Sequence, residues 1–224
     1  MSLVTIIRNI QILRSLAMRL RLLMAKWIPV IGGGNSIKRN GILIHSTIRI
    51  RGNHNTVILH KGSVLQKAKI EIYGDNHNIK ISSGAYLEGT HIVIEDHKCT
   101  LTIGENTFIG PSHIAVTEDG SMIIIGDECM VSSNVQIRTG DSHAIYNSEG
   151  YRINHAANVN IGNMVWLGEG CKILKGVSLG DNVIVSTGAI VTKAFAGNVL
   201  IGGVPAKILK QNVRWSHSRI NNCE

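Results

Sequence analysis

The chain has 224 residues, a length that fits one domain with appendages. Only 4% of its residues are aromatic and 24 are glycine, which suits a thin core of stacked aliphatic side chains with many tight turns. The formal net charge is +8, but residues 1–40 contain seven Lys and Arg residues and no acid, so the rest of the chain is nearly neutral. A nucleic-acid-binding surface is not expected, because it would spread basic side chains and stacking aromatics over one recognition face.

The N-terminal segment, residues 1–31, is predicted to form a basic amphipathic helix. Within residues 3–28, apolar side chains recur at alternating steps of four and three, which makes one helical stripe: Ile6, Ile10, Leu13, Ala17, Leu20, Met24 and Trp27. Arginines interrupt every candidate run, so no stretch reaches the roughly 18–20 apolar residues needed to span a bilayer. The helix could pack on its own chain or on copies in a homo-oligomer, or it could rest on an anionic membrane surface. We expect a cytoplasmic protein that can contact the inner face of the membrane through residues 1–28.

Between residues 43 and 131, aliphatic residues recur at a fixed 22-residue step. The step relates Leu43, Leu65, Leu87, Ile109 and Val131, and every position in this column and in four further columns is Ile, Leu or Val. A fixed period of this size predicts a solenoid in which each turn buries its apolar residues on the turn below. Turn-forming clusters recur at one corner of these coils. Their histidines are expected to face water rather than to bind metal: His54, His77 and His97.

From residue 161 the aliphatic period changes to six, with Ile161, Leu167, Ile173, Leu179, Val185 and Val191. Three such hexapeptides make an 18-residue triangular coil. The 22-residue coils are therefore predicted to be the same triangle with one corner enlarged by four residues. Between the two regimes, residues 138–158 have no period, and a structureless stretch of this length inside a solenoid is usually functional. It concentrates ionisable and aromatic side chains: Asp141, His143, Tyr146, Glu149, Tyr151, Arg152 and His155.

Four motifs together resemble those of the hexapeptide-repeat acyltransferases. They are the hexapeptide run, residues 139–143 (Thr-Gly-Asp-Ser-His), residues 165–168 (Val-Trp-Leu-Gly) and residues 202–207 (Gly-Gly-Val-Pro-Ala-Lys). Within this family the chain is similar to the galactoside and maltose acetyltransferases and to the O-acetyltransferases of capsule and O-antigen gene clusters.

The resemblance implies an all-β solenoid, a left-handed parallel β-helix over residues 42–201. Its 22-residue coils would run to about residue 137, an inserted active-site loop would occupy 138–158, and 18-residue coils would follow from residue 159. A short C-terminal tail would occupy residues 202–224.

The resemblance also implies a mechanism, the direct transfer of an acetyl group from acetyl-CoA to a hydroxyl, with no metal. His143 aligns with the family's loop histidine and would act as general base on the acceptor hydroxyl. Trp166 would form a wall of the acceptor or thioester site. Backbone N–H groups at Gly168 and Glu169 would stabilise the developing oxyanion.

The acceptor site is less well defined by the motifs. Asp141 and Tyr146 of the aperiodic loop are candidates for acceptor contacts. Relatives carry an acceptor-contacting Asn one coil before the loop, and this chain has Ser112 and His113 there instead, either of which could take its place.

Coenzyme A in this family lies along the solenoid between two subunits of a homotrimer. The matching positions are Thr187, Gly188, Thr192 and Lys193, with Lys207 and Lys210 near the nucleotide phosphates.

The leading prediction is thus an acetyl-CoA-dependent O-acetyltransferase of a cell-surface polysaccharide (capsule or O-antigen) or its precursor. An N-acetyltransferase of an amino sugar nucleotide or an amino acid is an alternative, since an amine acceptor leaves the donor site similar. A γ-type carbonic anhydrase, with zinc held by His113, His143 and His155, is a third. A non-catalytic scaffold is a fourth.

Overall fold

The computed structural model describes residues 29–218, and every regular element in that part of the chain is a β-strand. In chain order these strands are β1 (Val30–Ile31), β2 (Ser36–Arg39), β3 (Ile42–Ile44), β4 (Thr47–Arg51), β5 (Thr56–Leu59), β6 (Val64–Gln66), β7 (Lys69–Tyr73), β8 (Asn78–Ile81), β9 (Tyr86–Glu88), β10 (His91–Ile94), β11 (Thr100–Ile103), β12 (Phe108–Ile109), β13 (His113–Val116), β14 (Met122–Ile125), β15 (Met130–Val131), β16 (Gln136–Arg138), β17 (Val159–Ile161), β18 (Trp166–Leu167), β19 (Lys172–Ile173), β20 (Ser178–Leu179), β21 (Ile184–Val185), β22 (Ile190–Val191), β23 (Val199–Gly203) and β24 (Ala206–Gln211). The predicted helix of residues 3–28 lies outside the described residues.

The strands form three sheets, and the chain visits the sheets in rotation. Sheet I contains β1, β4, β7, β10, β13, β16, β19 and β22; sheet II contains β2, β5, β8, β11, β14, β17 and β20; sheet III contains the remaining strands. Neighbouring strands are parallel except β23 and β24, which are antiparallel, so the segment predicted as a tail begins with a strand. The predicted parallel β-helix is confirmed. Its left-handed course is not fixed by the strand pairing and stays an inference from the resemblance.

The pairing register confirms both periods. Leu43 pairs with Leu65 in the first region, and Leu167 pairs with Val185 in the second. Side-chain hydrogen bonds between coils take the same two steps, 22 residues from Ser46 to the Ala68 amide and 18 residues from Asp181 to the Asn163 amide.

The prediction that one corner is enlarged by four residues needs a correction. In an enlarged coil, the distance along the sequence from the inward Ile48 of sheet I to the inward Leu59 of sheet II is five residues longer than the corresponding distance in a hexapeptide coil. The distance from Leu43 of sheet III to Ile48 of sheet I is one residue shorter than in a hexapeptide coil, so the whole coil is four residues longer. The enlargement therefore lies at the corner between sheets I and II.

The core is a column of aliphatic side chains that point into the prism. Strands in the coils expose and bury alternate residues, as in β4, where the inward Ile48 and Ile50 are fully buried. Three cysteines occupy core positions as buried free thiols, namely Cys99, Cys129 and Cys171. Burial raises the pKa of the Cys171 thiol to about 12. These thiols therefore serve packing rather than chemistry.

The corner between sheets I and II, which we call corner I/II, holds stacked polar side chains in the enlarged coils. His77 lies there and is 1% exposed, unlike the exposed His54 and His97, so the prediction that all three face water is wrong for His77. Its Nδ1 accepts the Cys99 amide at 3.1 Å, and its Nε2 donates to the Tyr73 carbonyl at 3.1 Å. The bond that Nδ1 accepts requires the neutral ring, and burial lowers the pKa of His77 in agreement.

Candidate active site

The aperiodic loop, residues 139–158, lies between β16 and β17 at corner I/II, directly after the stack of enlarged corners. Its middle is a short hairpin, in which Tyr146 and Arg152 form an antiparallel bridge and the Ile153 amide donates to the Ile145 carbonyl at 2.9 Å. Partners in the coils before and after the loop are 36 residues apart, as in the bond from the Met122 amide to Asn158, and this is twice the length of a plain coil. The loop is thus one inserted unit whose two ends return to the same corner.

Asn154 holds the two sides of this loop together. Its side-chain amide donates to the His143 carbonyl at 2.8 Å and to the Asp141 carboxylate at 2.9 Å, while its Oδ1 accepts the Ile145 amide at 2.7 Å. Asn154 is buried, so these bonds are shielded from competing water. The backbone on both sides of His143 is therefore fixed. The role of Asn154 could not be predicted, because nothing in the sequence distinguishes it from other loop asparagines.

Two ion pairs fix the loop to the solenoid. Lys175 Nζ contacts Asp141 Oδ2 at 2.5 Å and the Asn154 carbonyl at 2.9 Å, and the hydrogen bond from Lys175 is the main reason that the pKa of Asp141 is lowered. Arg152 contacts the Glu118 carboxylate at 2.6 Å and likewise lowers its pKa. Asp141 is therefore ionised and helps to position the loop, and its predicted contact with the acceptor stays a prediction.

His143 itself lies on the exposed surface of the loop. No hydrogen bond from its ring is found within residues 29–218, so the imidazole is available to an incoming group. Tyr146 is also exposed, and the hairpin presents further large apolar side chains outward: Ile145, Tyr151 and Ile153. A cluster of exposed apolar residues on a projecting hairpin is typical of a contact surface.

Ser112 and His113 differ in their exposure to solvent. Ser112 is buried, and its hydroxyl donates to the Ser132 carbonyl at 2.9 Å, so it serves the turn between sheets III and I. His113 begins β13 on the outer side of sheet I, with its ring 5.2 Å from that of His91. Burial lowers the pKa of His113, and the nearby His91 and Arg138 add to this. Of the two, only His113 is exposed.

Trp166 and the predicted oxyanion region lie on another part of the prism. Trp166 begins β18 in sheet III, with its ring on the outer side and 38% exposed. The Gly168 amide donates to the Val185 carbonyl at 2.8 Å, so it is engaged in the ladder between coils. No hydrogen bond from the Glu169 amide is found among the described residues, which leaves that amide as the candidate oxyanion donor.

The predicted donor-site residues fall into two groups. Thr187 and Gly188 lie one coil beyond Glu169 at the corner between sheets III and I, where the Gly188 amide donates to the Glu169 carbonyl at 2.8 Å. Lys193 and Lys207 line one open cavity beside Ala194. Thr192 precedes Lys193 at corner I/II, and Lys210 lies further along β24.

His143 and Trp166 do not meet within one chain. The loop that carries His143 is fixed at corner I/II, and sheet III, which carries Trp166, is the side of the prism opposite that corner. A site that uses both residues therefore needs two chains. Within residues 29–218, no three His, Cys, Asp or Glu side chains are arranged to hold a metal ion, and no helix could span a membrane.

Two models of known protein families match parts of this solenoid. The bacterial transferase hexapeptide model (six repeats) matches residues 158–193, and the hexapeptide repeat of succinyl-transferase matches residues 100–138. The fold is thus a hexapeptide-repeat transferase solenoid. The crystal structure of the polysialic acid O-acetyltransferase OatWY superimposes with a TM-score of 0.84 and 31% identity, covering 88% of this chain and 94% of that one. The chain belongs to the hexapeptide-repeat acetyltransferases, which confirms the resemblance seen in its motifs.

Two curated relatives give shorter sequence alignments. The polysialic acid O-acetyltransferases of Escherichia coli O1:K1 / APEC and Neisseria meningitidis are 33% and 37% identical over 92 and 90 residues. These alignments cover 41% and 39% of this chain, and 30% and 42% of the relatives. The chain thus matches less than half of the length of these relatives by sequence.

Proposed function

We propose that the protein is an acetyl-CoA-dependent O-acetyltransferase whose acceptor is a hydroxyl of an acidic capsule polysaccharide of the polysialic acid type. The observation that carries the proposal is the superposition on a polysialic acid O-acetyltransferase over 88% of this chain. The two curated polysialic acid O-acetyltransferases support the same acceptor class.

In this proposal His143 is the general base. A sugar hydroxyl is a weak nucleophile, and an imidazole can accept its proton near neutral pH while the oxygen attacks the thioester carbonyl. The new C–O bond forms, the negative charge develops on the former carbonyl oxygen, and collapse expels the thiolate of coenzyme A, which takes up the proton. The Glu169 amide would stabilise the intermediate charge, an interaction worth about 3–4 kcal/mol in other acyl-transfer enzymes.

We further propose that the active site forms between protomers of a homotrimer. His143 of one protomer would face the Trp166 side of its neighbour, because one chain holds the two residues on opposite sides of the prism. The exposed Tyr146, Tyr151 and Ile153 would then be buried against the neighbouring protomer. Thr187, Gly188, Lys193 and Lys207 are the proposed contacts of acetyl-CoA.

Acetyl transfer from acetyl-CoA to polysialic acid, followed by mass spectrometry of the product, tests the activity. A complementation experiment tests the shared site. His143→Ala and Trp166→Ala chains, each of low activity alone, are unfolded together and refolded as a mixture. Mixed trimers then contain some sites with both native residues, so we expect activity well above that of either variant. A mixture no more active than its components would contradict the shared site, whereas wild-type protein inactive on polysialic acid would contradict the acceptor.

A further inference from the structure

The C-terminal segment, residues 212–218, leaves β24 and runs back along the corner between sheets II and III, which we call corner II/III. The Val213 amide donates to the Asn198 carbonyl at 3.1 Å in the last coil. Trp215 Nε1 donates to the Met164 carbonyl at 2.5 Å, and His217 Nε2 lies 3.0 Å from the Glu128 carbonyl. The segment therefore crosses several coils toward the one that carries the active-site loop.

These contacts fall at two unusual corners. Glu128 and Met164 have positive φ angles of 54° and 53°, a conformation that costs most residues about 1 kcal/mol or more. The equivalent residues in the next two coils, Asn182 and Asn198, are of the type that tolerates it. Trp215 and His217 contact the carbonyls of these two corners, and these contacts hold the segment against the solenoid.

The segment also places a second tryptophan beside the first. The ring centroids of Trp215 and Trp166 lie 5.9 Å apart, and the ring planes make an angle of 46°. The His217 ring packs edge-on against Trp215, with 4.4 Å between the ring centroids. Trp166 stays 38% exposed in spite of this contact. The two indoles thus form one aromatic surface that is accessible from outside, and Trp215 is held in it by its own hydrogen bond and by His217.

We infer that Trp215 is a positioning residue for the glycan acceptor, an inference that rests on the proposed function. An indole face carries partial negative charge, and the C–H groups on one side of a sugar ring carry partial positive charge, so the two stack. Stacking on a surface fixed in advance would hold the acceptor hydroxyl in place for attack.

The acceptor fits this surface better than the donor does. The proposed donor contacts Thr187 and Lys207 lie in the last coils, beyond Trp166 along the solenoid. The C-terminal segment leads the other way, toward Glu128, in the coil from which the loop of His143 departs. It therefore approaches the level of that loop along the solenoid, where the proposed trimer would place the loop of the neighbouring protomer.

Steady-state kinetics with acetyl-CoA and polysialic acid test the inference. In Trp215→Ala we expect the KM for polysialic acid to rise about fivefold to tenfold, the range that the loss of one aromatic stacking contact gives. We expect kcat and the KM for acetyl-CoA to change less than about twofold, since neither the base nor the donor contacts are altered. Trp215→Phe should recover most of the loss, because it keeps a ring on Trp166. Ser216→Ala, in the same segment, is the matched control and should behave like wild type.

Several outcomes would overturn the inference. An unchanged KM for polysialic acid would show that Trp215 has no part in acceptor binding. A parallel rise in both KM values would indicate a general structural role, and a fall in the acceptor KM would indicate that Trp215 shields the site. Wild-type protein that binds acetyl-CoA but does not acetylate polysialic acid would contradict the proposed acceptor and this inference together.

Discussion

The coils before the aperiodic loop and the coils after it share one core but differ at corner I/II. Before the loop, the corner is five residues longer, and its polar side chains bond from coil to coil, as in Asn55 Oδ1 with the His77 amide at 2.9 Å. After the loop, the corner is the short turn at Lys175 and Gly176. The inward aliphatic columns are the same in both regions. A corner can therefore grow without disturbing the core, provided that its polar groups find partners in the neighbouring coils.

The aperiodic loop follows the same principle. It doubles the length of a plain coil, at the corner where earlier coils gain five residues, and Asp141, Arg152 and Asn154 bond within the loop or to the solenoid. Thr139 begins the loop and continues the earlier ladder, with its hydroxyl 3.2 Å from that of Ser121. The proposed catalytic loop therefore lies at the corner that is already enlarged in the first region.

Removal of the proposed base is expected to have the largest effect. His143→Ala should lower kcat at least about a hundredfold, the lower range for the loss of a general base, while the affinity for coenzyme A stays unchanged. His155→Ala, an exposed histidine of the same loop, is the control and should retain most activity. Equal losses in the two variants would indicate that the loop acts through its shape and would remove His143 from its role.

Asn154→Ala tests whether the loop must be held in one conformation. The substitution removes the bonds that fix the backbone at His143 and Ile145, and we expect kcat to fall about tenfold, because small displacements of a catalytic group are costly. The melting temperature should change little, since the loop lies outside the aliphatic core. Ser148→Ala at the exposed tip is the matched control. Unchanged turnover in Asn154→Ala would show that these bonds are dispensable.

The corner ladder of the first region can be tested by an exchange between coils. His77 occupies the position that Asn55 holds one coil earlier. His77→Ala leaves the Cys99 amide and the Tyr73 carbonyl without this partner, and should cost about 1–3 kcal/mol of unfolding free energy. His77→Asn should cost less, because asparagine bonds the next coil at the Asn55 position. Equal losses in the two variants, measured by urea unfolding, would contradict the role of the ladder.

The same residue gives a pH dependence. Burial lowers the pKa of His77 in the folded state, so below about pH 6.5 the unfolded chain binds a proton that the folded chain excludes. Wild-type stability should therefore fall as the pH decreases from about 6.5, and His77→Asn should lose this part of the dependence. Parallel pH curves for the two proteins would show that His77 is not responsible.

Much of the fold could be predicted from sequence, because each inward residue of a solenoid repeats in its neighbours. Leu43 and Leu65 or Leu167 and Val185 are adjacent in space because they are one period apart. The loop was predicted because it interrupts that period, and His143 because residues 139–143 resemble a motif of the family. Contacts without a period could not be predicted. Trp215 reaches Trp166 from beyond the last coil, and Asn154 acts through a hairpin whose course depends on Lys175 in a later coil.

The sequence also does not show on which side of the prism each residue lies. The motifs place His143 and Trp166 close together in the sequence, which suggests proximity in space. The intervening chain passes along sheet II before it reaches sheet III, and this path puts the two residues on opposite sides. The proposal that His143 and Trp166 act together across two chains rests on that path.

The N-terminal segment should have the smallest effect on catalysis. It lies outside the described residues, and we propose that this basic, amphipathic segment holds the enzyme at the cytoplasmic face of the membrane. Deletion of residues 1–28 should leave kcat on a soluble acceptor within about twofold, because every proposed catalytic and donor contact lies after residue 112. Binding to vesicles that contain anionic lipid, measured by sedimentation, should drop. If the truncated protein instead becomes monomeric or aggregates, the segment packs within the oligomer, and the difference between the two regions of the solenoid would then include a contact made before the first coil.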